Sequence, residues 1–315
     1  MGANMATNLL KTFKEVHVFD VVEANVAALE QKGAKRSASV EELAATCSTI
    51  ITMLPATQHV SNVLKGPKGI FAIAKPNTLI IDCSTIDPVV SKELNAEAVA
   101  AGHRMVDAPV SGGVAGATAG TLTFMVGGDG RTFEECQQFL QAMGKNMVLV
   151  GGPGSGGVTK ICNNLSLAIS MVGTAEAMNL GRRLGMDPKT LAGVLNTSTG
   201  RCWASEVNNP CPGVLDNVPA SRGYTGGFAA ALMYKDLGLA MDVAHGAGAN
   251  IVPVGDVVHG IYGSLVNDGY GGKDFSVVFE PLASPNGLLT TDQKEIAALR
   301  AENKKLQEQL AALNK

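Results

Sequence analysis

The stretch GGPGSGGVTKICNN, residues 151–164, is where the chain changes character. Ahead of it short β-rich runs alternate with helical segments; behind it strand signals fade and helical ones dominate. The glycine-rich loop leads straight into an apolar helix whose first turns carry Lys160 and, four residues on, Asn164. Positions i and i+4 share a helix face, so the two polar ends point at one spot. Val158, Ile161, Leu165, Ile169 and Val172 surround them on nearly every side, as in a buried helix. A lysine there loses water, and desolvation disfavours its ammonium form, which suits a proton donor and acceptor near neutral pH. The competing reading is a lysine that snorkels from a core helix to the surface.

Upstream, strands are expected at Val16–Asp20, Ser48–Leu54, Thr78–Ser84, Arg104–Val110, Leu122–Gly127 and Met147–Val150. Several are almost wholly apolar, the mark of parallel strands covered on both faces. Helical segments at Val21–Gln31, Val40–Ala45, Val89–Ala101 and Thr132–Met143 fill the gaps. Such alternation predicts a doubly wound α/β sheet with ligands at the carboxyl ends of its strands. Residues 1–151 are read as this domain, 152–280 as an all-α domain, and 281–315 as a linker and tail helix. MGANMATNL at the start looks like a helix without its strand, and Asp20 closes the first visible strand eighteen residues after Gly2. In a dinucleotide fold that is where an acidic residue meets the adenosine ribose, although a strand-terminal Asp is also an ordinary turn former. Met53-Leu54-Pro55, Asp82-Cys83-Ser84-Thr85 and Asp107-Ala108-Pro109-Val110-Ser111-Gly112-Gly113 close three further strands, placing small or polar residues where a cofactor would lie. Ser111-Gly112-Gly113, bare N–H groups beside a hydroxyl, suits a carboxylate.

Downstream, Val158–Leu184 reads as one helix capped by Gly185, and Asp187-Pro188 as the start of the next. Phe228–His245 is a third helix, carrying Lys235-Asp236 in apolar surroundings. Lys235 is placed either at the cofactor cleft or in a pair with a neighbouring acid. Trp203, the single tryptophan, lies in the Pro-, Asn- and Gly-rich loop 199–226 and is expected to pack.

A net charge of -3 with no basic cluster argues against a nucleic-acid partner. The six cysteines show no C-x-x-C pair and no metal-ligand spacing, so no metal is expected and they read as small core residues of a reducing compartment. No apolar run is long enough to span a membrane, and no Arg-rich presequence is visible.

Over residues 1–279 the chain resembles the β-hydroxyacid dehydrogenase family. The resemblance is carried in order by MGANMATNLL, ITMLPAT, DCSTIDPVVSKEL, DAPVSGGVAGATAGTLTFMVGG, GSGGVTKICNN, TSTGRCW, NPCPGVLDNVPASRGYTGGF and LMYKDLGLA. It implies a Rossmann-type sheet followed by a helical substrate and dimerisation domain. It makes Lys160 the catalytic acid/base with Asn164 beside it, and Ser111, Gly112 and Gly113 the holders of the substrate carboxylate. Gly2, Asp20, Leu54, Pro55, Thr85 and Lys235 would contact the cofactor, with Asp20-Val21 favouring NAD where an Asn-Arg pair would favour NADP. The implied reaction is oxidation of 3-hydroxyisobutyrate to methylmalonate semialdehyde in valine breakdown, by a homodimer or homotetramer of the mitochondrial matrix if the source is eukaryotic, otherwise of the cytoplasm. A reductase of glyoxylate or another small semialdehyde, or a non-catalytic scaffold, are the rival expectations. Two features depart from the family pattern. The chain opens on the last Met-Gly of a G-L-G-x-M-G turn, so a first strand and two phosphate-loop glycines are expected to be missing. It also runs on past Phe279 into a heptad-spaced series, Ile296, Leu299, Asn303, Leu306, Leu310 and Leu313.

Overall fold

The computed structural model describes residues 1–246 and 251–284. They fall into two compact units, Met1–Asn164 and a second that begins at Leu165. In chain order the first unit holds α1 (Gly2–Leu9), β1 (His17–Val18), α2 (Glu23–Glu30), β2 (Lys35–Arg36), α3 (Val40–Thr46), β3 (Thr49–Thr52), α4 (Thr57–Leu64) and α5 (Ile70–Ile73). It continues with β4 (Leu79–Asp82), α6 (Pro88–Ala100), β5 (Arg104–Asp107), β6 (Val110–Ser111), α7 (Gly113–Ala119), β7 (Leu122–Gly127), α8 (Gly130–Met143), β8 (Gly144–Gly151) and the start of α9 (Ser155–Arg183).

Strands β3, β4 and β5 are parallel neighbours, as their apolar runs predict. Leu79 and Ile81 of β4 pack with Met5, Leu9, Cys136 and Leu140, while Ile80 between them packs with Val60, Leu64, Leu94 and Ala98. Alternate side chains thus enter two separate cores, and both faces of the strand are covered. Side-chain caps start the flanking helices: Ser39 accepts from Glu42 N–H, Asp87 from Val89 N–H and Asp129 from Thr132 N–H.

Four details differ from the sequence reading. The expected strand Arg104–Val110 is broken, because Pro109 has no N–H to give a ladder. The chain resumes as β6, and both β5 and β6 pair antiparallel with β7, so the sheet is mixed. Met147–Val150 lengthens to Gly144–Gly151, parallel to β7. Strand β2 gave no apolar signal, since its two residues are Lys35 and Arg36, both exposed. Finally, β1 and β2 form a parallel pair of their own, and β1 shares no hydrogen-bonded ladder with β3 among the described residues. Helix α1 is held through Asn8 Nδ2, which donates to the Ala117 carbonyl at 2.6 Å, and Asn4 Nδ2, which donates to Thr118 Oγ1 at 3.0 Å.

The second unit comprises the rest of α9, α10 (Pro188–Thr197), α11 (Trp203–Glu206), α12 (Ala230–Gly246), α13 (Pro253–Leu265) and α14 (Phe279–Ala283), with short 3-10 and π turns between them. Gly185 takes the left-handed conformation after α9 (φ 85°), and Asp187 caps α10 by accepting from Thr190 N–H. Met171, Met178, Tyr224, Met233, Leu237, Tyr262 and Phe275 lie in its core. Buried Asp274 ties its loops together, accepting from Phe228 N–H at 2.7 Å, Asn208 Nδ2 at 3.2 Å, Ser276 N–H at 3.0 Å and Ser276 Oγ at 2.5 Å. Trp203 is half-exposed and stacks on Phe275. No described helix is long and apolar enough to cross a membrane. The heptad series Ile296–Leu313 lies outside the described residues.

Candidate active site

The register of the parallel strands decides what gathers at their carboxyl ends. Thr52 of β3 is opposite Asp82 of β4, and Asp82 is opposite Asp107 of β5. Three strands with apolar middles therefore finish in one polar row. Thr52 Oγ1 donates to Asp82 Oδ1 at 2.7 Å, and Ser84 N–H donates to the same oxygen at 3.1 Å. Ser84 Oγ in turn accepts from Leu54 N–H at 2.9 Å. This chain of bonds locks the turn after β3, which carries Leu54 and Pro55, to the turn after β4, which carries Thr85. Asp82 is fully buried, and its Oδ2 has no hydrogen-bond partner. Burial pushes its carboxyl up to about 6, against the pull of its bonds to Ser84 and Thr52.

The third member of the row faces the glycine-rich loop. Asp107 Oδ1 accepts from Gly154 N–H at 2.8 Å and Oδ2 from Gly157 N–H at 2.9 Å. Burial raises its pKa, and these backbone donors oppose the rise. The glycines are required by crowding. A Cβ on Gly156 would meet Asp107 Oδ2 at 2.7 Å and the Asp107 carbonyl at 2.9 Å. One on Gly127 would meet Asp107 Oδ1 at 2.5 Å and Gly156 N at 2.7 Å. Asp82 and Asp107 thus point inward, because backbone N–H groups and a threonine hydroxyl meet their carboxylates there.

One turn into α9, Lys160 is buried and its Nζ donates to Asn164 Oδ1 at 3.0 Å. Asn163 Nδ2 donates to the same oxygen at 3.0 Å. The expected i, i+4 pair is therefore formed, and Lys160 does not snorkel to the surface. A buried amine held by an amide oxygen can take up and release a proton at Nζ. Ser111 ends β6 half-buried, with exposed Gly112 and Gly113 at φ 131° and 61° opening α7. Only glycine adopts that pair of positive φ values without strain, and a Cβ on Gly112 would also crowd Leu122 Cδ2 at 3.2 Å.

Asp20 is exposed beyond the end of β1, its oxygens accepting from Val22 N–H at 2.8 Å and Asn25 Nδ2 at 3.0 Å. A carboxylate has about four acceptor positions, so two remain for ribose hydroxyls. Gly2 begins α1, where a Cβ would meet Met53 Cβ at 3.6 Å, an ordinary contact. Gly2, Asp20, Leu54, Pro55 and Thr85 all lie in the first unit, at the start of α1 or in the turns that follow β1, β3 and β4. Lys235 lies in the second unit on α12, its Nζ 2.9 Å from Asp236 Oδ1.

A largely parallel α/β sheet that leads through a glycine-rich loop into a long helix is an architecture nicotinamide-dependent dehydrogenases use. Residues 1–152 match the sequence profile of the NAD binding domain of 6-phosphogluconate dehydrogenase. Residues 154–282 match that of the NAD-binding domain of NADP-dependent 3-hydroxyisobutyrate dehydrogenase. A probable mitochondrial 3-hydroxyisobutyrate dehydrogenase of Dictyostelium discoideum is 52% identical over 280 residues, 89% of this chain and 87% of that protein. An NAD-dependent L-serine dehydrogenase of Pseudomonas aeruginosa is 48% identical, covering 89% of this chain and 95% of its own. Among solved structures, the 3-hydroxyisobutyrate dehydrogenase of Mycobacterium tuberculosis with L-serine superposes with TM-score 0.85 at 38% identity, over 90% of this chain and 96% of that one. The chain belongs to the β-hydroxyacid dehydrogenase family, and is an NAD-dependent oxidoreductase of that kind.

Proposed function

We propose that the protein oxidises 3-hydroxyisobutyrate to methylmalonate semialdehyde, with Lys160 as its acid/base. The observation that carries this reading is the buried hydrogen bond from Lys160 Nζ to Asn164 Oδ1, one turn into a helix moored to the sheet. Ser111, Gly112 and Gly113 take the substrate carboxylate. The neutral Lys160 amine receives the hydroxyl proton, and Asn164 holds the resulting ammonium at the reacting oxygen. Bound NAD supplies the hydride acceptor. Gly2, Asp20, Leu54, Pro55 and Thr85 of the first unit hold it, Asp20 by accepting from the adenosine ribose. The source, if eukaryotic, uses the protein in mitochondria, as the Dictyostelium relative's name supports, and the working form is a homodimer or homotetramer.

L-serine is the second reading, supported by the Pseudomonas relative and the serine-bearing Mycobacterium structure. It carries the same hydroxymethyl and carboxylate groups as 3-hydroxyisobutyrate, with an ammonium in place of a methyl. Steady-state formation of reduced nicotinamide with each substrate at saturating NAD decides between them. A higher kcat/KM for 3-hydroxyisobutyrate is expected. Lys160→Ala should lower kcat by about a hundredfold or more with NAD affinity little changed. Near-normal turnover in that variant would remove the lysine from the mechanism.

A further inference from the structure

Asp107 has no place in the proton transfer just described, yet it is a carboxylate only 4% exposed. A buried charge is costly unless it is paired or hydrogen-bonded. Both its oxygens are spent on one short segment, Gly154 and Gly157, at the head of α9. We propose that Asp107 is the positioning residue of the proton-transfer site, mooring the first turn of α9 to the end of β5 and so setting where Lys160 presents its amine. The proposal rests on the reading of Lys160 as acid/base.

Three observations carry it. The bonds are charge-assisted and run to two different amides, so they fix the orientation of the turn as well as its distance. The first turn of a helix is where an anion is most favourable, so the pairing strengthens the attachment. The backbone is also in close approach: Gly127 and Gly156 leave no space between the loop and the strand ends. The turn is thus pulled inward by the carboxylate and stopped by the sheet, which leaves it one position. From Gly157 to Lys160 is a single helical step of about 4.5 Å, too short and stiff to absorb a shift. A misplacement of about 1 Å at a reacting group can cost on the order of a hundredfold in rate. Asn95, which supports the same strand by donating from Nδ2 to the Met105 carbonyl at 2.6 Å, does not touch the loop. Gly128 N–H donates to the Gly151 carbonyl at 2.9 Å ahead of the loop, and Asp107 holds the turn itself.

The test compares the full-length protein with Asp107→Asn and Gly127→Ala. The first keeps the shape but turns an accepting oxygen into a donor that faces an N–H. The second leaves Asp107 intact and crowds the loop with a Cβ. Amide exchange at Gly154 and Gly157 in the protein alone should quicken about tenfold or more in both variants. With NAD and 3-hydroxyisobutyrate, kcat should fall about ten- to a hundredfold, while each KM stays within about threefold. The limb of the kcat/KM pH profile that reports Lys160 should also move. A purely structural role would lower thermal stability and leave kcat and that limb where they are. Normal kcat in either folded variant overturns the proposal, as does a loss of rate that appears wholly in KM. If neither variant folds, Asp107→Glu decides, because it keeps the charge on an arm one methylene longer; unchanged kcat there also overturns it. If the unmutated protein shows no hydroxy-acid oxidation, the functional reading fails instead, and amide exchange still reports on the tether.

Discussion

Replacing Asp82 by Asn should remove a pH dependence of stability that the fold builds in at the end of β4. The carboxyl of Asp82 is fully buried and is lifted from 3.8 to about 6, first by burial and then by the charge of Asp107, against its bonds to Ser84 and Thr52. The displacement is worth about 3 kcal/mol between the protonation states. Its sign follows from proton counting. Between pH 3.8 and about 6 the folded chain binds more protons at this group than the unfolded chain does. The contribution to stability is therefore fully present below pH 3.8 and is lost as pH rises through about 6. Asparagine keeps an acceptor for the Thr52 hydroxyl and the Ser84 N–H, and its amide nitrogen occupies the place of the unpartnered Oδ2. That amide nitrogen has its own desolvation cost, which is the same at every pH and cancels in the comparison. Asp107, also raised by burial, is common to both proteins. Urea unfolding of the two proteins at intervals from about pH 4 to pH 8 reads the difference directly. The Asn variant should gain about 3 kcal/mol on the parent across that range, most of it between pH 4 and 6. A difference that stays flat, or that moves toward the parent as pH rises, would sink the assignment of a proton to buried Asp82.

Three other outcomes follow from particular residues. Asp20→Asn combined with Val21→Arg should move the NAD-to-NADP preference toward NADP, because the carboxylate that repels a 2′-phosphate is gone; equal use of both cofactors by the unmutated protein would contradict the role of Asp20. Asp274→Ala strands the donors of Phe228, Ser276 and Asn208; at about 1–3 kcal/mol for each buried donor left unpaired, thermal unfolding should show a loss of several degrees or more, and an unchanged Tm would mean the loops find other acceptors. Gly2→Glu, which sets a carboxylate at the head of α1, should weaken NAD binding about tenfold or more, because an anion there repels a diphosphate. Equal NAD affinity in titrations of the two versions would mean that Gly2 is not the last glycine of a phosphate turn.

The strands with continuous apolar runs, TIIT, LIID and LTFMVG, were legible because a strand covered on both faces has no other way to be written. Caps were legible at Asp187 for the same kind of local reason: an Asp-Pro pair supplies both an acceptor and a fixed φ. Lys160 and Asn164 came out paired because an i, i+4 relation needs only a helix. Strand β2 escaped notice because a two-residue edge of Lys and Arg carries its pairing in backbone alone. The direction of Asp82 and Asp107 was hidden for a different reason. A strand-terminal Asp reads alike whether it faces a ligand or folds back beneath it, and only the register that sets Thr52, Asp82 and Asp107 side by side decides.

That ambiguity bears on how the glycine-rich segment itself is to be understood. A run of glycines entering a helix is the pattern of a phosphate cradle, because bare backbone and a helix N-terminus together attract an anion. Here the anion at the head of α9 is the protein's own, the carboxylate of Asp107, and the glycines serve to let two stretches of backbone meet around it. The same physics is used with a side chain in the place of a phosphate. A helix start occupied in this way is closed to an external anion, so the diphosphate of a dinucleotide has to be met at another helix start of the first unit. Gly2, at the head of α1, is the position the proposed cofactor site assigns to it. On the proposed reading the two glycine-marked helices divide the work: α1 serves the cofactor, and α9 is moored by Asp107 to hold Lys160 in place.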